Sequence, residues 1–172
     1  MNSSEKKYCL DANVLIQAWQ KYYAPSICPT YWDLLNNFGK VDKLFISKYV
    51  YEEITRTDDE LSKWLKSGNI PIRKIDEEVT KCLKDIYSKN PTNKLLVDNT
   101  KQRSIADPWI IAHAINEKAV VVTKEEKVTA LNSKKIKIPN VCDNMNVEWI
   151  NDFQLVDELG IVFKCEIVNR KI

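Results

Sequence analysis

Four acidic residues follow or adjoin apolar segments of this 172-residue chain. They are Asp11 in YCLDANVLI, Glu53 in YVYEEI, Asp107 in SIADPWIIAHA and Glu125 in VVVTKEE. Open parallel sheets bind their ligands at the carboxyl ends of strands, so an α/β chain would gather these acids at one edge. Gathered carboxylates repel one another unless a cation neutralises them, and hard divalent cations prefer oxygen ligands. The pattern therefore predicts a Mg²⁺ or Mn²⁺ site suited to phosphodiester chemistry.

Each of these acids also has an ordinary structural interpretation. Asp11 can cap the first helix, Asp107 can cap a helix over 108–118, and Glu125 can be a solvent-facing charge. Asp107 precedes Pro108, and proline is favoured in the first turn of a helix. The positive end of that helix is expected to lower the pKa of Asp107 and keep it ionised. The capping and metal-binding interpretations are compatible.

Glu53 has an acidic neighbour, Glu52, and only one of the two can face the other acids. Successive helical positions point about 100° apart. Val50 and Ile54 define the buried side of the helix, and Glu53 lies beside them. Glu52 is expected to point further into solvent.

Short apolar strands alternate with amphipathic helices along the chain, which predicts right-handed crossovers and a parallel sheet. The strands are predicted in YCLD, KLFIS, PIRKI, AVVVT and VEWI. The helices are predicted from Asp11 through Trp19, from Pro29 to Gly39, after Ser47, in DDELSKWLKSG, over 77–87, over 108–118, in NVCDNM and in DFQLVDELG. The polar stretch SKNPTNKLLVDNTKQRS is predicted as a loop or partly helical, and the tail IVFKCEIV as an added strand.

Composition narrows the class of protein. The net charge is only +2, so nucleic-acid binding would depend on local basic patches. Five scattered cysteines without a CxxC pair argue against a disulfide framework, and the single histidine, His113, argues against Cys/His zinc sites. No signal peptide or membrane span is predicted, so a reducing, cytoplasmic setting is expected.

The motifs LDANVLI, VYEEI, ADPWIIAHA and VVTKEE resemble, in order and spacing, the acidic motifs of PIN-domain nucleases. The nearest resemblance is to an uncharacterised PIN-like bacterial branch related to VapC-type toxins, and DDELSKWLK and KKIKIPNVCDNMNVEWIN share it. The resemblance implies a three-layer α/β/α domain with a central, mainly parallel sheet of four to five strands. It implies one domain over 1–172, with a core over 7–159 and a strand-like extension over 160–172.

By position, the resemblance assigns the metal and the catalytic step to Asp11, Glu53 and Asp107. The resemblance also assigns Glu125, but at a position where many PIN domains have aspartate. Because glutamate is longer, whether its carboxylate binds the metal directly is an open question at this point. Asp143 is the reserve for the fourth acid, with a surface or capping role as the alternative.

Substrate contacts are predicted from the polar residues that accompany the acids and from nearby basic residues, which suit phosphate groups. They are Asn13, Thr123, Arg103, Lys134, Lys135 and Lys137. For the basic residues, a solvated loop is the alternative. Lys124 and Lys127 flank Glu125 and are placed to balance its charge.

These inferences predict a Mg²⁺- or Mn²⁺-dependent endoribonuclease, with the role of toxin in a type II toxin–antitoxin pair implied by the resemblance alone. The expected partners are an RNA substrate, an antitoxin protein and a second copy of the chain. The alternative is a catalytically silent PIN-like module that binds RNA or protein, which the glutamate at position 125 motivates.

Overall fold

Five parallel strands form one sheet in the order β3-β2-β1-β4-β5. The computed structural model describes residues 6–68, 70–97, 105–130 and 135–167. The strands are β1 (Tyr8–Leu10), β2 (Leu44–Ser47), β3 (Ile72–Arg73), β4 (Val120–Val122) and β5 (Trp149–Ile150). The five predicted strands and their parallel pairing are confirmed.

Helices connect the strands and flank the sheet. They are α1 (Ala12–Gln17), α2 (Pro29–Lys40), α3 (Lys48–Thr55), α4 (Glu60–Ser67), α5 (Glu77–Lys89), α6 (Asp107–Glu117), α7 (Ile138–Met145) and α8 (Asp152–Glu158). A π-helical turn, Ala18–Tyr22, extends α1, and a 3₁₀ helix, Pro91–Leu96, follows α5. The partly helical alternative for the polar stretch after α5 is therefore confirmed within the described residues.

The centre of the sheet is buried on both faces because its strands are short and almost entirely apolar. Every residue of β1, β2 and β4 is buried, and α6 packs against all three strands. Ile110 and Ile111 of α6 have no exposed surface. Each such side chain contributes roughly 1.5–3 kcal/mol of burial free energy. Among the described residues, no helix is both long and apolar enough to traverse a bilayer.

Local polar contacts fix where several helices begin and end. The Ser47 hydroxyl accepts from Val50 N at the start of α3, and the Asp59 carboxylate accepts from Ser62 N at the start of α4. Ser47 and Asp59 are therefore the N-caps of these helices, and Gly68 is the C-cap of α4. Gly39 does not stop α2, which continues through Lys40.

The strand predicted at the carboxyl terminus is wrong for the residues that the structure describes. Residues 161–167 form no strand, and 168–172 lie outside the described residues. The Phe163 ring instead stacks on Tyr23, with ring centroids 5.0 Å apart. An aromatic contact with the start of the chain thus takes the place of the backbone pairing that the alternating pattern predicted.

Candidate active site at the carboxyl edge of the sheet

The register of the sheet places the residues after β1 and β4 side by side. Leu10 is paired with Val122, and Val122 with Ile150. Asp11 N donates to Val122 O (2.9 Å), and Thr123 N donates to Ile150 O (3.0 Å). Asp11 and Thr123 therefore lie at the same edge of the sheet although they are distant in sequence.

Asp11 is held by two polar neighbours. The Thr123 hydroxyl donates to Asp11 Oδ2 at 2.7 Å, and Asn13 Nδ2 donates to the same oxygen at 2.5 Å. Lys124 N donates to Asn13 Oδ1 at 3.0 Å, which fixes the amide orientation. Asp11 stands at the N-cap position of α1, but its side chain makes no capping bond. Asn13 and Thr123, predicted as substrate contacts, thus orient the Asp11 carboxylate.

Asp107 is the first residue of α6, not its N-cap, which is Ala106. Burial first, and then the negative charges of Asp11, Glu125 and Glu53, together raise the pKa of Asp107 to about 8. Burial also raises the pKa of Asp11 to about 7, with Thr123 opposing through its hydrogen bond. The expected lowering of the Asp107 pKa by the helix N-terminus is therefore wrong, because burial and repulsion outweigh it.

Glu53 lies at the exposed rim of this acidic group. Val50 and Ile54 are buried as predicted, while Glu53 and Glu52 are both exposed as residues. Partial desolvation raises the pKa of the Glu53 carboxyl, and its charge acts on both Asp11 and Asp107. Glu52 instead pairs with Lys48 at 3.4 Å.

The remaining two acids differ in where their side chains are bound. Glu125 Oε2 accepts from Ile138 N at 2.9 Å, which ties the glutamate to the start of α7 while its charge still acts on Asp107. Asp143 forms an ion pair with Lys127 and accepts from Trp149 Nε1 at 2.9 Å. The structure therefore brings Glu125, but not Asp143, into the electrostatic range of the other acids.

Neither lysine beside Glu125 pairs with it. Lys127 pairs with Asp143, and Lys124 Nζ pairs with Asp152 Oδ1 at 2.8 Å. The Asp152 side chain has no exposed surface, and its other oxygen accepts from the Tyr22 hydroxyl at 2.7 Å. The expectation that these lysines balance Glu125 is wrong, because each has a closer acidic partner.

This buried Lys124–Asp152–Tyr22 cluster was missed by the sequence analysis. Its three members come from three separate elements: the residues after β4, the start of α8 and the π-helical turn. Asp152 looks in sequence like one more acid at the start of an amphipathic helix. No local pattern distinguishes it, because its partners are brought to it only by the sheet.

The acids fit a hard divalent cation in donor type and charge. Asp11 and Asp107 offer carboxylate oxygens, and no basic side chain among the described residues forms an ion pair or hydrogen bond with either. Within those same residues, no three acidic, histidine or cysteine side chains stand close enough together to hold a metal ion. Magnesium keeps several waters, so two carboxylates can suffice.

The basic residues predicted to contact substrate are only partly described. Arg103 and Lys134 lie outside the described residues. Lys135 is exposed and lines a cavity beside Asn140, and Lys137 is the half-buried residue before α7. Their contact with substrate stays a prediction.

Known proteins support the fold that the site is built on. One chain of VapBC2 from Rickettsia felis, in a structure bound to a DNA fragment from their promoter, aligns with a TM-score of 0.55 and 18% identity, covering 84% of this chain and 97% of that chain. VapBC-1 from nontypeable Haemophilus influenzae aligns with a TM-score of 0.53 and 16% identity, covering 85% and 98%. FitAcB from Neisseria gonorrhoeae aligns with a TM-score of 0.50 and 17% identity, with the same two coverages.

The sheet order, the flanking helices and these similarities show that the chain has a PIN-like fold, as the resemblance predicted. The chain belongs to the family described as a domain of unknown function, DUF4411, whose match covers residues 8–163. No curated protein matches the chain.

Without a divalent cation, the protein is expected to lose stability as the pH rises from about 4 to about 8. The pKa values of Asp11 and Asp107 in the folded state, about 7 and about 8, exceed the ordinary value of 3.8. The folded state therefore binds more protons than the unfolded state, and this contribution disappears as the pH passes the folded-state values. One pKa unit corresponds to about 1.4 kcal/mol, so a loss of several kcal/mol is expected.

Thermal unfolding in EDTA across this pH range tests the expectation. The Asp107→Asn variant should show a smaller loss, because it lacks one of the two carboxylates. Adding Mn²⁺ to the wild type should recover stability at about pH 8 and above, where both carboxylates ionise. Equal pH dependence in the wild type and the variant would show that the pKa of Asp107 is not raised in the folded protein.

Proposed function

We propose that the chain is a Mg²⁺- or Mn²⁺-dependent endoribonuclease that acts at the carboxyl edge of its sheet. One observation carries the proposal: Asp11 and Asp107 lie on different elements and are at least partly buried, and no described basic side chain pairs with either. Burial raises the pKa of both carboxyls, and the charge of Asp11 adds to the rise for Asp107. Such an arrangement is costly in isolation and becomes favourable when a divalent cation is present.

Asp11 and Asp107 are the residues proposed to hold the ion, and Glu53 adds negative charge from the exposed rim. A bound Mg²⁺ or Mn²⁺ supplies Lewis-acid chemistry, by activating water and offsetting charge on the scissile phosphate. Thr123 and Asn13 hold the Asp11 carboxylate in one orientation through their bonds to Oδ2. Glu125 stays tied to Ile138 N and contributes negative charge from the side.

Incubation of the purified protein with a panel of single-stranded RNAs tests this function. Cleavage is expected with Mn²⁺ and not with EDTA, and the product ends implied by the resemblance are a 5′ phosphate and a 3′ hydroxyl. Cleavage that continues in EDTA would contradict the metal requirement. Single-stranded DNA of matching sequence shows whether the substrate is restricted to RNA.

The role of toxin in a toxin–antitoxin pair is a finer part of the proposal. The VapBC and FitAcB structures that resemble this fold supply its support. An antitoxin would cover the acidic edge or insert a basic side chain among these carboxylates. We expect expression of the chain to arrest growth. Co-expression of a small DNA-binding protein encoded by a neighbouring gene is expected to relieve the arrest.

A second candidate function is a catalytically silent module that binds RNA or protein. It is favoured by the absence, among the described residues, of three metal-binding side chains close together, and by the bond that holds Glu125 at Ile138. Binding of RNA without cleavage across the panel and in both metal ions would support this candidate over the nuclease.

A further inference from the structure

We propose that a cavity beside Glu125 is a nucleobase subsite, which binds a base next to the phosphate that the ion proposed at Asp11 and Asp107 would hold. The inference rests on the proposed function, since it names how the same edge of the sheet would take up single-stranded RNA. The cavity has a volume of about 400 Å³, and its lining includes Glu125, Trp149, Asn151, Phe153 and Gln154.

The cavity is next to the acidic group because both lie at the carboxyl ends of neighbouring strands. Glu125 belongs to both, since it lines the cavity and its charge acts on Asp107. Thr123 N donates to Ile150 O, so the residues that follow β4 and the residues that follow β5 begin side by side and line the cavity together. A nucleotide strand that runs from the acids toward β5 would place its next base in the cavity.

Phe153 supplies an open aromatic surface on this cavity. Its side chain is 55% exposed, in contrast to Trp19, Trp32 and Trp64, which pack on one another. The Phe153 ring lies 5.4 Å from the Tyr22 ring, and Lys124 Nζ lies 4.8 Å from its centroid. These contacts hold the ring in place before a ligand arrives, and every base has a face that can stack on it.

The side-chain amides of Asn151 and Gln154 line the cavity and carry unused hydrogen-bond donors. Asn151 Oδ1 accepts from Gln154 N, and Gln154 Oε1 accepts from Asn151 N, both at 2.9 Å. Both amide oxygens accept hydrogen bonds in the N-terminal cap of α8, which fixes the orientation of the two amides. Their NH₂ groups are therefore available to donate to a ligand. Within the part of the chain that the structure describes, these NH₂ groups have no acceptor. They match the carbonyl oxygens of uracil, which adenine lacks.

The charges favour a base over a phosphate in this position. Lys124 is paired with the buried Asp152, and Lys127 with Asp143, so neither cation is left for a phosphate. Glu125 and Glu126 also line the cavity and would repel one. A neutral, flat ring with carbonyl acceptors suits both the aromatic surface and the amide donors.

Binding of fluorescent oligouridylate and oligoadenylate to the protein in EDTA tests the subsite without relying on cleavage. Phe153→Ala is expected to weaken binding of oligouridylate about tenfold. Phe163→Ala is the matched control, because Phe163 is also a partly exposed aromatic but stacks on Tyr23 away from this cavity. Equal affinities for wild type and Phe153→Ala would overturn the subsite.

Gln154→Glu tests the donor separately from the fold of the helix. The glutamate keeps an oxygen for the bond from Asn151 N but removes the NH₂ group. Its added charge weakens both oligonucleotides alike, so the expected result is a loss of the preference for oligouridylate over oligoadenylate. An unchanged preference would overturn the donor assignment.

The binding measurements distinguish the failure of this inference from failure of the proposed function. Wild-type protein that binds oligonucleotides through Phe153 and discriminates bases through Gln154 but never cleaves RNA would leave the subsite standing and refute the nuclease. RNA cleavage by the wild type, with no effect of Phe153→Ala or Gln154→Glu on binding, would support the nuclease and refute the subsite. Oligothymidylate bound as well as oligouridylate would support the subsite and extend it to DNA.

Discussion

Asp107→Asn is expected to reduce Mn²⁺-dependent RNA cleavage by about 10³-fold or more. The substitution removes one charged ligand of the proposed ion, whose stabilisation of the reacting phosphate is worth several kcal/mol, at about 1.4 kcal/mol per tenfold in rate. The amide has nearly the same shape, and no hydrogen bond of Asp107 to the described residues is lost. Single-turnover cleavage rates measure the effect, and circular dichroism checks that the fold persists.

Asp143→Asn is the matched control for this experiment. It makes the same chemical change in an acid that pairs with Lys127 and lies outside the electrostatic range of the others. Its cleavage rate is expected to stay within about twofold of the wild type, because its surface ion pair contributes little. A large loss with Asp143→Asn, or normal cleavage by Asp107→Asn, would show that the four acids have been assigned wrongly.

Glu125→Gln addresses the residue whose place the sequence left open. Because its carboxylate is bound to Ile138 N, the glutamine keeps an oxygen for that bond and loses only the charge. A loss smaller than that of Asp107→Asn would agree with a glutamate that acts beside the ion, not on it.

The strands and most helices were predictable from sequence because their signals are local. The run Val120–Val122 is apolar at each position, as a strand buried on both faces requires, and Ser47 and Asp59 mark the starts of their helices. The meeting of Asp11 with Thr123 followed from the same logic, because both come directly after strands of a parallel sheet and such residues meet at one edge.

Features that depend on distant partners were not predictable. The pKa of Asp107 depends on how deeply the fold buries it and on three acids from other elements, which outweigh the local helix terminus. The tail after Gly160 has a strand-like pattern, yet Phe163 contacts an aromatic ring near the start of the chain. The lysine beside Glu125 finds its counter-ion 28 positions away.

Lys124→Met is expected to destabilise the protein by about 3–5 kcal/mol. Removal of one partner from a buried ion pair leaves the other charge uncompensated, and here that charge is on Asp152, whose side chain has no exposed surface. Methionine fills a similar volume and keeps contact with the rings of Tyr22 and Phe153, so the loss reports the charge and not a cavity. Urea unfolding followed by tryptophan fluorescence measures the free energy of unfolding.

Two further variants make the result specific to burial. Lys48→Met breaks a pair with Glu52 whose side chains are 54% and 48% exposed, and it should cost at most about 0.5 kcal/mol. In the double variant Lys124→Met/Asp152→Leu, the buried charge is gone, so much of the stability should return despite the lost hydrogen bond from Tyr22. If Lys124→Met costs no more than Lys48→Met, water must reach Asp152, and the cluster cannot be the rigid support that holds Phe153 at the edge of the cavity.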